Sequence, residues 1–393
     1  MRLKKTARKV QIPRVAILVD TSTSWGRRVL QGINNYARNH GPWQVFVEAR
    51  GGAERLRVPA GWQGDGIIAR VSDSSMVAAL RALNLPVVNV SAIELPDATF
   101  PRVTYDIKAG AAMALNHFLD RGFRHFAYFD MLGMSYVTAQ QNAFMEAARQ
   151  SGHECEVYSI KPRTETDPDW NLDLVKVGRW LKSLPKPVGL LTWSPGSGRE
   201  LINACQIAGL LVPEEVAIIS GSNEDILCEM LRIPLSAIQV GSEQIGHHAA
   251  GMLDKLMRHG TAPKKPIYLP PLRIVTRQST DTLALKDPAL VKALSFIRHN
   301  AGTPIQVGDV AREAGLSRRV LERRLLQSLG RSPATEIRRV HLERAKSLLV
   351  GTDLPIPDVA DAAGFGSPEY FACTFKAEMR KTPLQYRKEI RSR

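Results

Sequence analysis

Short apolar runs alternate with longer amphipathic stretches over the first two-thirds of the chain. The runs "RVAILVD" (14–20), "WQVFVEA" (43–49), "GIIAR" (66–70) and "PVVNV" (86–90) predict strands. So do "HFAYF" (125–129), "VGLLTW" (188–193), "VAIIS" (216–220) and "SAIQV" (236–240). Between them, "GRRVLQGINNYARN" and "AGAAMALNHFLDRG" place apolar residues at helical spacing. Strands alternating with helices at this spacing predict parallel sheets with crossover connections, the α/β class. Residues 15–280 are enough chain for two such lobes facing each other across a cleft.

Beyond residue 286 the period of 2 disappears and only helical spacing remains. Phe371, Phe375 and Met379 make one apolar stripe, with Lys376, Arg380 and Lys381 off it. This segment is the second copy of a repeat. Val310, Ala311, Ala314 and Gly315 match Val359, Ala360, Ala363 and Gly364 at an offset of 49. Past the turn the offset is 50, pairing Ser317 with Ser367, Leu321 with Phe371, Leu325 with Phe375 and Pro333 with Pro383, so the second turn holds one extra residue. Each copy reads as a short helix, a glycine turn, a capping serine and a second helix. Two such units are tandem helix-turn-helix modules, joined by the helical stretch "EIRRVHLERAKSLLV" with apolar residues at 337, 340, 345, 348 and 349.

Charge strengthens this reading. The net charge is +15, of which residues 286–393 carry +8 (20 Lys and Arg against 12 Asp and Glu). Residues 1–14 add six basic residues and no acid, leaving a nearly neutral body. Cationic ends on a neutral body imply a polyanionic partner, here double-stranded DNA. In the first recognition helix Leu321 and Leu325 face inward, which turns Arg319, Glu322 and Arg323 outward, with Arg318 near the helix start. Arginine suits a bidentate contact to guanine and glutamate can accept from cytosine. The matching places in the second helix hold Glu369, Ala372 and Cys373, beside the cap Ser367. Its cations Lys376, Arg380 and Lys381 suit phosphates. The first module is therefore expected to supply most of the base discrimination.

The tandem modules, the linking helix and the closing "RKTPLQYR" resemble the AraC-type DNA-binding domain over roughly residues 288–390. That resemblance implies base contacts for Arg319, Glu322 and Arg323. His341 and Glu336 depart from it, standing where the family usually has an arginine and often an aromatic. The stretches "VTYDIKAGAAMALNHFLDRGFRHFAYF", "LINACQIAGLLVPEEVAIIS" and "PLSAIQVGSEQIGHHAAGMLDKLM" resemble the periplasmic-binding-protein-like core of LacI-type regulators, which "LPPLRIVTRQSTD" closes. About 14 residues precede the first strand, so the LacI-type N-terminal headpiece is not expected. A LacI-like core fused to an AraC-type tail resembles the xylose operon regulator family over nearly the whole chain. The expected organisation is a basic tail (1–14), a two-lobed sensing and dimerisation domain (15–280) and an all-α DNA-binding domain (288–393).

Ligands of open α/β sheets bind at the carboxyl ends of the strands. The post-strand residues are Asp20, Thr21, Ser22 and Trp25, then Glu48, Arg50, Arg70 and Asp106, then Gln140, Trp193, Ser222 and Asn223. "DTSTSW" (20–25) offers hydroxyls, a carboxylate and an indole suited to a sugar; it reads equally well as a loop capping the next helix. Three residues depart from the sugar-binding pattern: Gln140 stands in place of an arginine, and Pro195 and Ser222 in place of aspartates.

Enzyme readings find little support. "LLTWSPGSGREL" resembles a strand, glycine loop and helix, but G-x-G-x-x-G fails because Leu201 follows Gly196 and Gly198. No P-loop, G-x-S-x-G or H-E-x-x-H is present. The adjacent His247 and His248 would point apart on a helix, and the four cysteines are scattered singly. No cofactor, metal or membrane segment is expected. A sugar-metabolising α/β enzyme and a solute-binding protein are the alternatives; the second would need a signal sequence and no DNA-binding tail. The expected protein is a cytoplasmic homodimeric regulator in which a small molecule, a sugar first among the candidates, closes the lobes and respaces the reading heads.

Overall fold

The computed structural model describes residues 12–47, 56–58, 61–131, 135–160, 170–261, 263, 265–282, 284 and 287–392. Most of the basic N-terminal stretch, and the candidates Glu48 and Arg50, lie outside these residues. The chain divides into two compact units, the first built from residues 1–107, 134–136 and 240–271. Its strands are β1 (Arg14–Leu18), β2 (Gln44–Val47), β3 (Gly66–Ala69) and β4 (Val87–Asn89), all parallel in the order β2-β1-β3-β4. Val15, Ala16 and Ile17 of β1 and all of β3 are buried, as a central strand covered on both faces requires. Helices α1 (Ser24–His40) and α2 (Ser74–Ala82) follow β1 and β3 as crossovers. A separate parallel pair joins β5 (Val103–Tyr105) to β11 (Ile267–Leu269).

The second unit takes in residues 108–133, 137–239 and 272–393. In its lobe α3 (Ile107–Leu119) leads into β6 (His125–Met131), α4 (Ser135–Gln150) and β7 (Cys155–Ile160). Then come α5 (Trp170–Ser183), β8 (Val188–Thr192), α6 (Pro195–Ala208), β9 (Val216–Ser220), α7 (Asp225–Glu229) and β10 (Ser236–Gln239). Helix α8 (Ser242–His259) belongs to the first unit, and β12 (Arg273–Val275) returns to the second. The sheet order is β12-β10-β9-β8-β6-β7, with only β12 antiparallel.

All eight expected strands form, and four more were not legible. β5, β11 and β12 have three residues each, too few to carry a period. β7, "CEVYSI", is an edge strand whose residues are mostly half-exposed, so it has no apolar run. One expectation is corrected. The glycines of "SPGSG" form no loop: Ser194 caps α6, and Gly196 and Gly198 sit in its first turn, where Gly198 packs against Leu235.

The remaining seven helices make the all-α part. They are α9 (Pro288–His299), α10 (Val307–Glu313), α11 (Arg318–Leu329), α12 (Pro333–Gly351), α13 (Ile356–Ala362), α14 (Pro368–Met379) and α15 (Pro383–Ser392). Two apolar cores are strung along α12. Ile337 closes the first, with Leu290, Leu294, Val310, Leu321 and Leu325. Leu342, Ala345 and Leu349 serve the second, with Val359, Phe365, Phe371 and Phe375. The linking helix thus holds both modules by the stripe its sequence predicts. No described helix is long and apolar enough to cross a membrane.

Candidate nucleic-acid interface and effector site

The two modules repeat to the level of single hydrogen bonds. Ser317 Oγ accepts from Val320 N (3.4 Å) and Ser367 Oγ from Tyr370 N (3.1 Å), so each serine caps its recognition helix. Gly315 and Gly364 end the preceding helices at φ 66° and 79°. Leu321, Leu325, Phe371 and Phe375 are wholly buried, which fixes the outward face of α11 and α14. On that face Arg318, Arg319 and Arg323 are exposed and Glu322 is half-exposed. Glu322 is not free for a base in this state, because its Oε1 accepts from Arg318 Nε at 3.0 Å. The pair is exposed, with side chains 70% and 45% accessible, so it is weak and readily exchanged for a DNA contact.

On α14, Glu369, Cys373 and Lys376 are exposed and Ala372 is half-buried. Arg380 and Lys381 are exposed beyond its end. The sequence reading put Arg380 on the helix; it is in fact the C-cap, in the left-handed conformation at φ 56°. Gly330 holds the equivalent place in the first module at φ 69°, so the second module keeps an arginine where the backbone favours glycine.

The effector candidates fall in two groups. In the first unit the "DTSTSW" turn is tightly self-bonded. Asp20 Oδ1 accepts from Ser22 N (2.9 Å) and Ser22 Oγ (2.7 Å), and Thr23 Oγ1 caps α1 by accepting from Gly26 N (3.1 Å). Arg27, which the sequence reading missed, donates from Nη1 to the carbonyls of Thr21 (3.1 Å) and Ser22 (2.6 Å). Gly26 is obligatory, because a Cβ there would lie 1.7 Å from Asp20 O. The turn therefore does cap a helix, while Ser22 stays exposed and Thr21 and Trp25 half-buried. Arg70 and Asp106 lie half-buried just after β3 and β5.

In the second unit Gln140 is wholly buried on α4, where its Oε1 accepts from Tyr128 Oη at 2.9 Å. Its Nε2 is a buried donor with no partner among the described residues. Asn223 is spoken for within the chain. It donates to Gln239 Oε1 (2.7 Å) and to Asp225, and its Oδ1 accepts from Arg277 Nη1 (3.1 Å). Arg277, with 9% of its side chain exposed and Asp225 and Glu229 at 3.7 and 3.5 Å, is a second residue the sequence reading overlooked. It follows the antiparallel strand β12, which was not legible. Trp193 is half-buried after β8, its carbonyl 3.5 Å from Ser222 Oγ.

Known families match this division. Residues 14–109 match an XylR N-terminal domain, 115–280 a periplasmic binding protein-like domain and 310–389 a helix-turn-helix domain. The xylose operon regulatory protein of Escherichia coli K12 is 30% identical over 382 residues, 95% of this chain and 96% of its own length. The chain belongs to the xylose operon regulatory protein family. That of Haemophilus influenzae is 29% identical over 96% of this chain and 98% of its own. The solved structure of a xylose-binding transcription activator XylR superimposes with a TM-score of 0.62 at 27% identity, covering 97% of this chain and 99% of that one. The regulator CcpA of Lactococcus lactis, at 19% identity and TM-score 0.54, shares the fold of 69% of the chain. As a member of the xylose operon regulator family, the protein is a DNA-binding transcription regulator.

In this family member the reading head is bolted to the second lobe. Asp120, just after α3, accepts Arg339 Nη1 on one carboxylate oxygen (2.6 Å) and faces Arg331 Nη1 with the other (3.5 Å). Glu336, wholly buried, accepts from Arg331 Nε (2.5 Å) and from Arg339 Nη2 and Nε (2.8 and 3.0 Å). Burial pushes the Glu336 carboxyl up, but Arg339 and Arg331 outweigh it and hold the group below the ordinary carboxylate range. For Asp120 burial prevails and raises it. Arg124 adds a bond from Nη2 to Ser328 O (3.0 Å). Beneath them His117 Nε2 meets Thr280 Oγ1 (2.9 Å), and burial, with Arg121 and Arg298 nearby, keeps the imidazole neutral well below its usual range. Glu336, which departs from the AraC-type pattern, is part of this junction.

Proposed function

We propose that this regulator responds to a sugar, a pentose such as xylose first, and works as a cytoplasmic homodimer. Residues 15–280 sense the effector and dimerise; residues 288–393 read DNA. The observation that carries the reading is the repeat: two capped recognition helices on one spine, with Arg319 and Arg323 exposed on the first. Each head would set its two helices in successive major grooves about one turn (~34 Å) apart. Arg319, Arg323 and, once released from Arg318, Glu322 would read bases. Arg318, Ser367, Glu369, Ala372, Cys373, Lys376, Arg380 and Lys381 complete the contact surface. The effector-contact candidates are Asp20, Thr21, Ser22, Trp25, Arg70 and Asp106 in the first unit and Gln140, Trp193 and Asn223 in the second. Gln140 Nε2 is the strongest of these: it has no acceptor among the described residues, and an unpaired buried donor costs ~1–3 kcal/mol that a ligand hydroxyl would recover. Family names support the sugar: two relatives are called xylose operon regulatory proteins and one solved neighbour is titled xylose-binding.

The test has two arms. Duplexes selected by the full chain from a random pool should bind with a log affinity that falls steeply with log salt, and scrambled duplexes should bind far more weakly. A chain that enriches no sequence sinks the regulator reading. A thermal-shift screen of pentoses, hexoses and sugar acids on the full chain should find a stabilising pentose whose effect Gln140→Ala abolishes. No shift with any sugar leaves the DNA arm standing and removes the sugar.

A further inference from the structure

Between the two modules lies a half-open groove of about 370 Å³, far larger than the ~30 Å³ a single trapped water occupies. Its rim includes Arg318 and Tyr370, residues of the first turns of α11 and α14. Its floor is α12, which contributes Arg338 and His341. No carboxylate lines it. Arg338 Nε and His341 Nε2 are buried atoms without a hydrogen-bond partner among the described residues, and His341 itself is 5% exposed. Tyr370 is a large aromatic left 56% exposed.

Gly366, also on the groove wall, is the extra residue of the second turn. A Cβ on it would meet no atom of the chain within 4 Å, and its φ is not positive. Neither packing nor backbone conformation calls for glycine there. Close approach of another molecule's backbone would be one reason for glycine there.

We infer that this groove seats the DNA sugar-phosphate backbone where it passes between the two major grooves, with Arg338 as a phosphate ligand and Gly366 as the point of closest approach. The inference rests on the DNA-reading function above. If the first turns of α11 and α14 enter successive major grooves, the strand between those grooves must cross the space that the same two turns border. The charge fits: two arginines, no acid among the lining residues, and the Arg338 Nε–H donor without an acceptor among the described residues. Phosphate contacts of this kind fix register without reading sequence. Arg338 is thus a positioning contact, distinct from the outward arginines of α11.

The test uses the full chain and a duplex it selects from a random pool, with affinity measured by anisotropy from low to high salt. Arg338→Ala should weaken binding about 3- to 10-fold for the selected duplex and its single-base variants alike, and reduce the salt slope by about 1. Arg338→Lys should restore most of both. Gly366→Glu places a carboxylate in open space, so the melting temperature should hold while binding falls at least tenfold. Footprinting should show Arg338→Ala losing protection at the phosphates between the two grooves and nowhere else.

Unchanged affinity and slope in both variants would overturn the inference, as would a loss confined to one base position. Inorganic phosphate that stabilises the chain through Arg338, with DNA binding untouched, would assign the groove to a small anion instead. A wild-type chain that selects no sequence overturns the DNA reading itself. A selective wild type with indifferent variants overturns only the groove.

Discussion

The first and second reading modules share their turns and caps but present different side chains outward. Leu321 and Leu325 fill the first core and Phe371 and Phe375 the second, at the same register. Outside, α11 presents Arg318, Arg319 and Arg323, whereas α14 presents Glu369, Cys373 and Lys376 at its exposed positions. Gly330 ends the first recognition helix and Arg380 the second, both left-handed. The ion pairs to the sensor lobe come from Arg331 and Arg339, beside the first module. On the proposed reading, one module would combine base-reading arginines with docking, and the other would combine phosphate-holding cations with an aromatic core. A repeat constrains packing strongly and its outward side chains hardly at all, so duplicated modules can specialise without refolding.

The largest expected effects test the cores. Phe371→Ala should cost roughly 4 kcal/mol and Leu321→Ala roughly 3 kcal/mol in denaturant unfolding, since a larger cavity is left in the second module. A reversed order would break the assignment of the aromatic core. Glu336→Ala should cost about 3 kcal/mol, because it leaves Arg331 and Arg339 beside each other, largely buried, with Asp120 their remaining ion-pair partner among the described residues. It should also loosen the coupling between effector and DNA affinity, read as a smaller change in operator Kd on adding the stabilising sugar.

Arg323→Ala should cost about 1–3 kcal/mol of DNA affinity and relax one base position, while Cys373→Ala changes little. Equal losses at both would end the division of labour. Stability should fall as pH drops below the ordinary histidine value of 6.5. Folded His117 stays neutral while the unfolded chain takes up the proton, so the stability present above 6.5 is lost below it, by about 1 kcal/mol per pH unit. A melting series from pH 7.5 to 5.5 on wild type and His117→Gln measures this; the variant should show a shallower decline.

The smallest effect has two opposite signs. Arg380→Gly should raise stability by up to ~1 kcal/mol by removing a side chain from a left-handed residue, yet weaken DNA binding a few-fold. A variant weaker in both would show that Arg380 is structural.

How much was legible depended on where the information sat along the chain. The α/β alternation, the duplicated module, the caps Ser317 and Ser367 and the apolar stripe of α12 are local patterns, and each formed at its expected place. Residues 15–18, 188–191 and 216–219 are continuous apolar runs because both faces of those strands are covered. The edge strand β7 and the three-residue β5, β11 and β12 had no such signature. Among site residues, the outward arginines of α11 followed from the burial of Leu321 and Leu325. Arg277 and Arg338 did not, because Arg277's partners lie on other segments and Arg338 Nε has none among the described residues; Arg27 bonds within its own turn, but no residue-type pattern there marks it.

By itself, then, the sequence determined the fold class, the repeat and the sign of the charge on the reading head, since period and capping act within a few residues. The tertiary structure alone decided that Glu336 and Asp120 share two arginines, that Gln140 Nε2 has no partner among the described residues and that Gly366 borders an open groove. Each of these depends on distance between residues far apart in the chain, and a pattern of types along a line carries no distances.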